Sequence, residues 1–202
     1  MKRARSVESD GDQSYDLRHV LEKIEYIDAF FKLPKLELFR KEHLFPNIKE
    51  VTESYGIFHA CLEVCKRTNI ARNDPNVLIV VIGDGHRART GVLCSSMSAW
   101  RALSIDPVIH TCPSFPKVKT IASKIEDIPE DINHDGPVIL CFPHCHASIT
   151  TTLGKIKSSN NNRHVISMPC CFKDDTVIKP SFSYIDEKIL SDKNTINIYL
   201  NV

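Results

Sequence analysis

The chain has 202 residues, of which 42% are hydrophobic and 25% charged, and a formal net charge of +1. This is the make-up of one well-buried globular domain. So even a charge balance provides no global field for nucleic acid or an anionic membrane, and any such partner would need a local patch. No apolar run approaches the roughly 20 residues that cross a bilayer. The basic start, Met1 to Ser6, has no apolar core behind it, which argues against a secretory signal. There are eight cysteines, but Cys61, Cys65, Cys94 and Cys141 lie inside apolar segments, where a thiol acts as a small buried hydrophobe. A reducing compartment, the cytoplasm, is therefore expected.

Residues 1–13 are polar and are predicted to be a disordered tail. From Ser14 onward, Leu17, Val20, Leu21, Ile24, Ile27, Phe30 and Phe31 recur mostly at steps of three and four, the spacing of a helix face. Pro34 and Pro46 punctuate the next stretch. A second helix is predicted over 47–68, carrying Ile48, Val51, Ile57, Leu62 and Val64. After Asp74-Pro75 the pattern changes to short apolar strands near 77–82, 102–106, 117–122, 138–142, 164–168, 181–187 and 195–201, with helices over 89–100 and 146–157. The segment 191–194, Ser-Asp-Lys-Asn, suggests that an antiparallel hairpin joins the last two strands. No helical pattern fills 107–136, so that side of the sheet is expected to be thinly covered. This order predicts an α/β fold with a mixed sheet. It forms a single domain over 14–202, with a helical part over 14–72 and an α/β core over 76–202.

The most informative segment is the apolar run Val77 to Ile82 leading into Gly83-Asp84-Gly85, with a helix pattern from Thr90. Three of the seven glycines, Gly83, Gly85 and Gly91, fall in this stretch. Glycine at a strand exit lets the backbone turn sharply and approach a ligand. Asp106 ends the second predicted strand about 20 residues later, a spacing that fits general nucleotide-binding patterns.

Taken together, these features resemble the S-adenosylmethionine-dependent methyltransferase superfamily, with its Rossmann-like three-layer sandwich. The family's mostly parallel seven-stranded sheet ends in an antiparallel hairpin. The resemblance covers roughly residues 45–202 and rests on topology more than on a strict motif. It implies that Gly83 and Gly85 stand for the first two glycines of the family's loop, which passes under the cofactor. It further implies that Asp106 binds the ribose hydroxyls, as a carboxylate suits a vicinal diol. Two positions depart from the pattern. Arg87 occupies the third glycine position, and Val81 stands where an acid usually precedes the first glycine. Asp84 is the candidate replacement for that acid, while Arg87 and Arg89 are candidates for gripping a carboxylate or phosphate. Arg89 could equally brace the loop against Asp84 or Asp106. Thr90 is placed to cap the following helix.

The exits of the strands at 138–142 and 164–168 carry Cys141-Phe142-Pro143-His144-Cys145-His146 and Ser167-Met168-Pro169-Cys170-Cys171-Phe172. If the strands are neighbours, both exits face the ligand crevice. His144 and His146 are the candidate general bases, and Phe142 and Phe172 the better candidates for stacking on a base. Trp100 and Phe115 are weaker candidates for that role. Zinc is a rival reading of the cysteine–histidine cluster, but there is no C-x-x-C pair and the reading carries no metal. His110, Cys112 and His134 lie in segments that look solvent-facing.

The expected function is thus an S-adenosylmethionine-binding methyltransferase of unknown acceptor, with RNA or a protein as candidate partner and no membrane. One alternative is an inactive methyltransferase-fold binding or scaffold module, favoured by the Arg87 and Val81 departures. Another is an NAD-dependent oxidoreductase, for which Ala88 would stand at the third glycine of G-x-G-x-x-G.

Overall fold

The computed structural model describes residues 17–159, 162–170 and 178–202. The expected tail over 1–13, together with Cys171 and Phe172, lies outside the described residues. Three helices come first: α1 (Leu17–Phe31), α2 (Leu36–Lys41) and α3 (Ile48–Thr68). The helix α2 was not expected, because a six-residue element is too short to display a periodic apolar pattern. Asn47 caps α3, its side chain accepting from Glu50 N at 3.0 Å, and Asn69 ends that helix in the left-handed region at φ 57°. From Val51 to Phe58 every residue of α3 is buried. A helix buried this completely lies between other elements instead of on a surface.

The strands and helices that follow are β1 (Leu78–Ile82), α4 (Arg89–Met97), β2 (Arg101–Ile105), β3 (Val118–Ile121), β4 (Ile132–His134), β5 (Val138–Pro143), α5 (Ile149–Lys155), β6 (Ile156–Ser158), β7 (Arg163–Met168), β8 (Phe182–Ile185) and β9 (Thr195–Leu200). Seven of the strands form one sheet in the order β3-β2-β1-β5-β7-β9-β8. All neighbours are parallel except β9, which runs antiparallel to β7 and β8. This is an α/β, Rossmann-like fold with an antiparallel terminal hairpin. The strand order reverses at β1, whose neighbours β2 and β5 lie on opposite sides. A ligand crevice forms at such a switch point, beyond the carboxyl ends of the strands.

Alternation along the strands separates two cores. Ile79, Val81, Cys141 and Ile166 face the cluster formed with α1, α3 and α4. Val80, Ile82, Leu140 and Val165 face the other cluster, with Ile125, Ile128, Ile149 and Ile156. On that second face the cover is modest, consisting of α5, one turn of 3₁₀ helix (Ile125–Asp127) and a small parallel ribbon of β4 and β6. The ribbon was not foreseen, since three-residue strands leave too little alternation to detect. The predicted helices over 89–100 and 146–157 are both shorter in the structure. Ser98 ends α4 with an extended backbone, and Ser148 caps α5 by accepting from Thr151 N.

Candidate functional site

At the exit of β1, Gly83 and Gly85 both take positive φ, 77° and 69°. A side chain at Gly83 would also press on Cys145, its Cβ lying 2.9 Å from that Sγ. Glycine is thus required there both by conformation and by space. Between the two glycines, the Asp84 carboxylate turns inward. It accepts from Thr90 N at 2.9 Å, Gly91 N at 3.1 Å and the Ser104 hydroxyl at 2.7 Å. Burial pushes its pKa up to about 6, against the opposing pull of those bonds and of Arg89. Two of its partners are N–H groups of the first turn of α4, which a helix leaves unsatisfied. Asp84 therefore closes the helix from outside. The expectation that it contacts a cofactor is corrected on this point: Asp84 is 2% exposed and its carboxylate accepts three bonds from within the protein.

The predicted helix cap at Thr90 is corrected in the same way. The N-cap position is Ala88, with no side-chain bond, and Thr90 instead pairs its hydroxyl with Ser54 at 3.1 Å. Arg89 braces the loop, but its partner is Glu50 of α3 at 2.7 Å and neither aspartate. The Arg87 side chain is half-buried and makes no hydrogen bond or ion pair among the described residues. Asp106 sits half-buried at the end of β2. It accepts from Gly85 N at 2.9 Å through one oxygen and from Val108 N at 3.0 Å through the other. Each carboxylate oxygen has a second lone pair, so both can still accept a hydroxyl.

The exits of β5 and β7 are adjacent, as their parallel pairing requires. His144 follows β5 with φ 52°, and its N–H donates to Met168 O at 2.9 Å, tying the two exits together. Its Nε2 lies 2.9 Å from Glu53 Oε1, and that oxygen also takes Lys49 Nζ at 2.8 Å. Burial alone would raise the Glu53 carboxyl, but the bonds from His144 and Lys49 outweigh it and hold it below the usual range. An ionised carboxylate only accepts, so Nε2 carries the proton in this contact. The other ring nitrogen, Nδ1, is buried and has no hydrogen-bond partner among the described residues. A buried unpaired polar atom costs about 1–3 kcal/mol and calls for an explanation in a native structure.

His146 is exposed and hydrogen-bonds through Nε2 to Cys170 Sγ. Phe142 is corrected: it is 2% exposed, packed in the core on the second face, and cannot stack on a ligand here. Trp100 and Phe115 are also core residues. His110 is exposed, while Cys112 and His134 are half-buried, and His134 Nε2 lies 2.6 Å from Asn76 O. Among the described residues, no three His, Cys, Asp or Glu side chains gather in a way that could hold a metal ion. Three cysteines do meet, but as buried thiols. Cys61 and Cys141 have their sulfurs 3.7 Å apart, and Cys94 adjoins Cys61, with burial raising all three pKa values.

A cleft of about 410 Å³ joins these parts, lined among others by Glu50, Glu53, Gly83, Arg89, His144 and Cys170. Sequence reasoning missed Glu53. Its only signal was an acid within the long apolar stretch of α3, and the partner that explains it lies 91 residues away. A larger groove of about 700 Å³ runs between α1, α3 and β8, away from the strand exits. Its rings are already covered by the chain's own cations, Arg67 lying 4.1 Å over Phe182 and Lys188 5.6 Å from the Tyr26 centroid.

No family model matches the chain, and no curated protein matches it in sequence. Solved structures similar to it include MtNAS in complex with MTA and tNA, at 13% identity and a TM-score of 0.43, covering 91% of this chain and 73% of that one. The plantazolicin methyltransferase BpumL in complex with SAH is similar at 13% identity and a TM-score of 0.36, covering 74% of this chain and 60% of that one. Among the described residues, no helix is long and apolar enough to cross a membrane.

Proposed function

We propose that the chain binds S-adenosylmethionine at the exits of β1 and β2 and transfers its methyl group to a small polar acceptor lying in the cleft beside His144. The observation that carries this reading is the engagement of Asp84 with Thr90 N and Gly91 N. A dinucleotide sets its pyrophosphate on the N-terminal N–H groups of the helix after the glycine loop. Here those groups are taken by the chain's own carboxylate, which also repels a second anion. The NAD reading thus loses its phosphate site, whereas a nucleoside cofactor without phosphates needs none.

The residues present suit that cofactor. Gly83 and Gly85 bend the loop, and Asp106 keeps two acceptor positions at the end of β2 for ribose hydroxyls. When bound, S-adenosylmethionine supplies an electrophilic methyl group on a sulfonium. The protein's own part is alignment and proton handling. Glu53 fixes the His144 imidazole at the wall of the cleft, and this pair is the group that takes a proton from an acceptor N–H or O–H. The lining favours a small acceptor over RNA. Lys49 is paired with Glu53 and Arg89 with Glu50, so these cations are neutralised where a polyanion would need them.

A binding module without turnover has one observation in its favour: Cys145 already fills the space against Gly83. Calorimetric titration with S-adenosylmethionine and S-adenosylhomocysteine tests the cofactor half of the proposal. Binding of both, with no response to NADH, is expected. Absence of heat and of any thermal shift at millimolar ligand would sink it. Turnover is then tested by release of S-adenosylhomocysteine in the presence of a small-metabolite mixture, which a pure binding module would not produce.

A further inference from the structure

The last rung between β5 and β7 pairs Pro143 with Met168. Cys145 and Cys170 therefore stand at matching stations, each two residues beyond that rung. The bond from His144 N to Met168 O shows that the two chains stay together past the end of the ladder. Both cysteines lie beyond the ladder, where a disulfide requires Cα separations of roughly 4.4–6.8 Å. Burial raises the Cys145 thiol's pKa, with Asp106 and Cys170 among the neighbours that add to the effect. Both cysteines stand as reduced thiols, and Cys170 lines the cleft with the His146 imidazole on its sulfur.

We propose that Cys145 and Cys170 form a dithiol exchange site, activated by His146, that reacts with small-molecule disulfides. The imidazole takes the Cys170 proton and leaves a thiolate, the form that attacks disulfides. The thiolate attacks one sulfur of a disulfide RSSR and forms a mixed disulfide, and RS⁻ leaves as RSH with the proton held by His146. Cys145 then loses its proton to solvent and attacks the Cys170 sulfur, expelling a second thiolate, which solvent protonates. In sum, two protein thiols are oxidised to one disulfide and RSSR is reduced to two RSH. The product links the exits of β5 and β7 beside His144, along one wall of the cleft.

The other thiols set the contrast. Cys61, Cys65, Cys94 and Cys141 are buried in the core, away from the cleft, where a disulfide in solution does not reach them. Cys112 donates its thiol to a backbone oxygen, His110 O, on an exposed loop, and serves as an internal control.

The test treats the full chain carrying Cys171→Ser with oxidised glutathione under native conditions and maps peptides by mass. A Cys145–Cys170 linked peptide is expected. In the Cys145→Ser variant the reaction should stop at one glutathione on Cys170, and His146→Gln should slow that adduct roughly tenfold while leaving Cys112 unchanged. Modification of Cys112 as fast as Cys170, or an unchanged Cys170 rate in His146→Gln, would overturn the proposal. A measurement free of the effects of these substitutions is the pH profile of iodoacetamide alkylation. Its midpoint at Cys170 should lie below that at Cys112, and coincident midpoints refute the activation. None of these readouts depends on cofactor binding.

Discussion

The exits of β1 and β5 lie on the same cleft and treat their polar groups in opposite ways. After β1, the loop satisfies itself. Asp84 takes three donors, Asp106 takes two and Arg89 takes Glu50, so these three charges have partners within the fold. After β5, the chain leaves work undone. His144 is fixed at one nitrogen by Glu53, yet its other nitrogen is buried without a partner among the described residues. The first arrangement holds a backbone shape. The second fixes a ring at some cost in stability.

Substitutions at the two exits can break or sharpen this contrast. The largest effect is expected at Asp84→Ala, which strands two helix N–H groups and a buried hydroxyl and should cost about 3–5 kcal/mol of folding stability in a denaturant melt. A loss no greater than that at an ordinary surface site would mean the loop does not depend on it.

Close behind comes a pH effect. Folding lifts the Asp84 carboxyl from its ordinary 3.8 to about 6, so the folded chain holds that proton more tightly than the unfolded one. The resulting stability is whole below the lower value and is lost as the pH rises through the upper one. At most about 3 kcal/mol is involved. Stability measured from pH 4 to pH 7 should therefore fall in the native chain relative to Asp84→Asn. Parallel curves would remove the buried ionisation.

Next, Asp106→Ala should weaken S-adenosylhomocysteine binding by about 1–3 kcal/mol in calorimetry. Unchanged affinity would move the ribose elsewhere. At the other exit, His144→Asn keeps a residue tolerant of positive φ and removes the unpaired nitrogen. It also takes one of two partners from the buried Glu53 carboxylate, so its effect on the urea midpoint should correspond to about 1–2 kcal/mol. A cost matching that of Asp84→Ala would erase the distinction drawn between the exits. The smallest effect is expected at Arg87→Ala, within about 0.5 kcal/mol in the same melt, since that side chain holds nothing among the described residues.

Legibility in the sequence followed the range of the interactions. The strands β1, β5 and β7 could be found because parallel strands covered on both faces are continuous apolar runs, and α3 because its apolar residues and its Asn47 cap are local signals. Short elements such as α2 and the β4–β6 ribbon carried too few residues to show a period. At the site, the positive-φ glycines and the strand exits were visible in advance. The direction of each side chain was not. Asp84 looked like a ligand for something outside and proved to be a cap for α4, and Phe142 looked like a stacking platform and proved to be core.

What the sequence determined by itself was the order of strands and helices and the position of the turns, because propensity, apolar period and glycine conformation act over a few residues. Tertiary structure alone decided which polar groups are spent and which remain. Glu53 and His144 meet across 91 residues, and the exits that carry Cys145 and Cys170 lie side by side because two parallel strands share a register. Such pairings depend on the packing of α3 against β5 and β7 and on the lowered dielectric of a cleft, which no local pattern records.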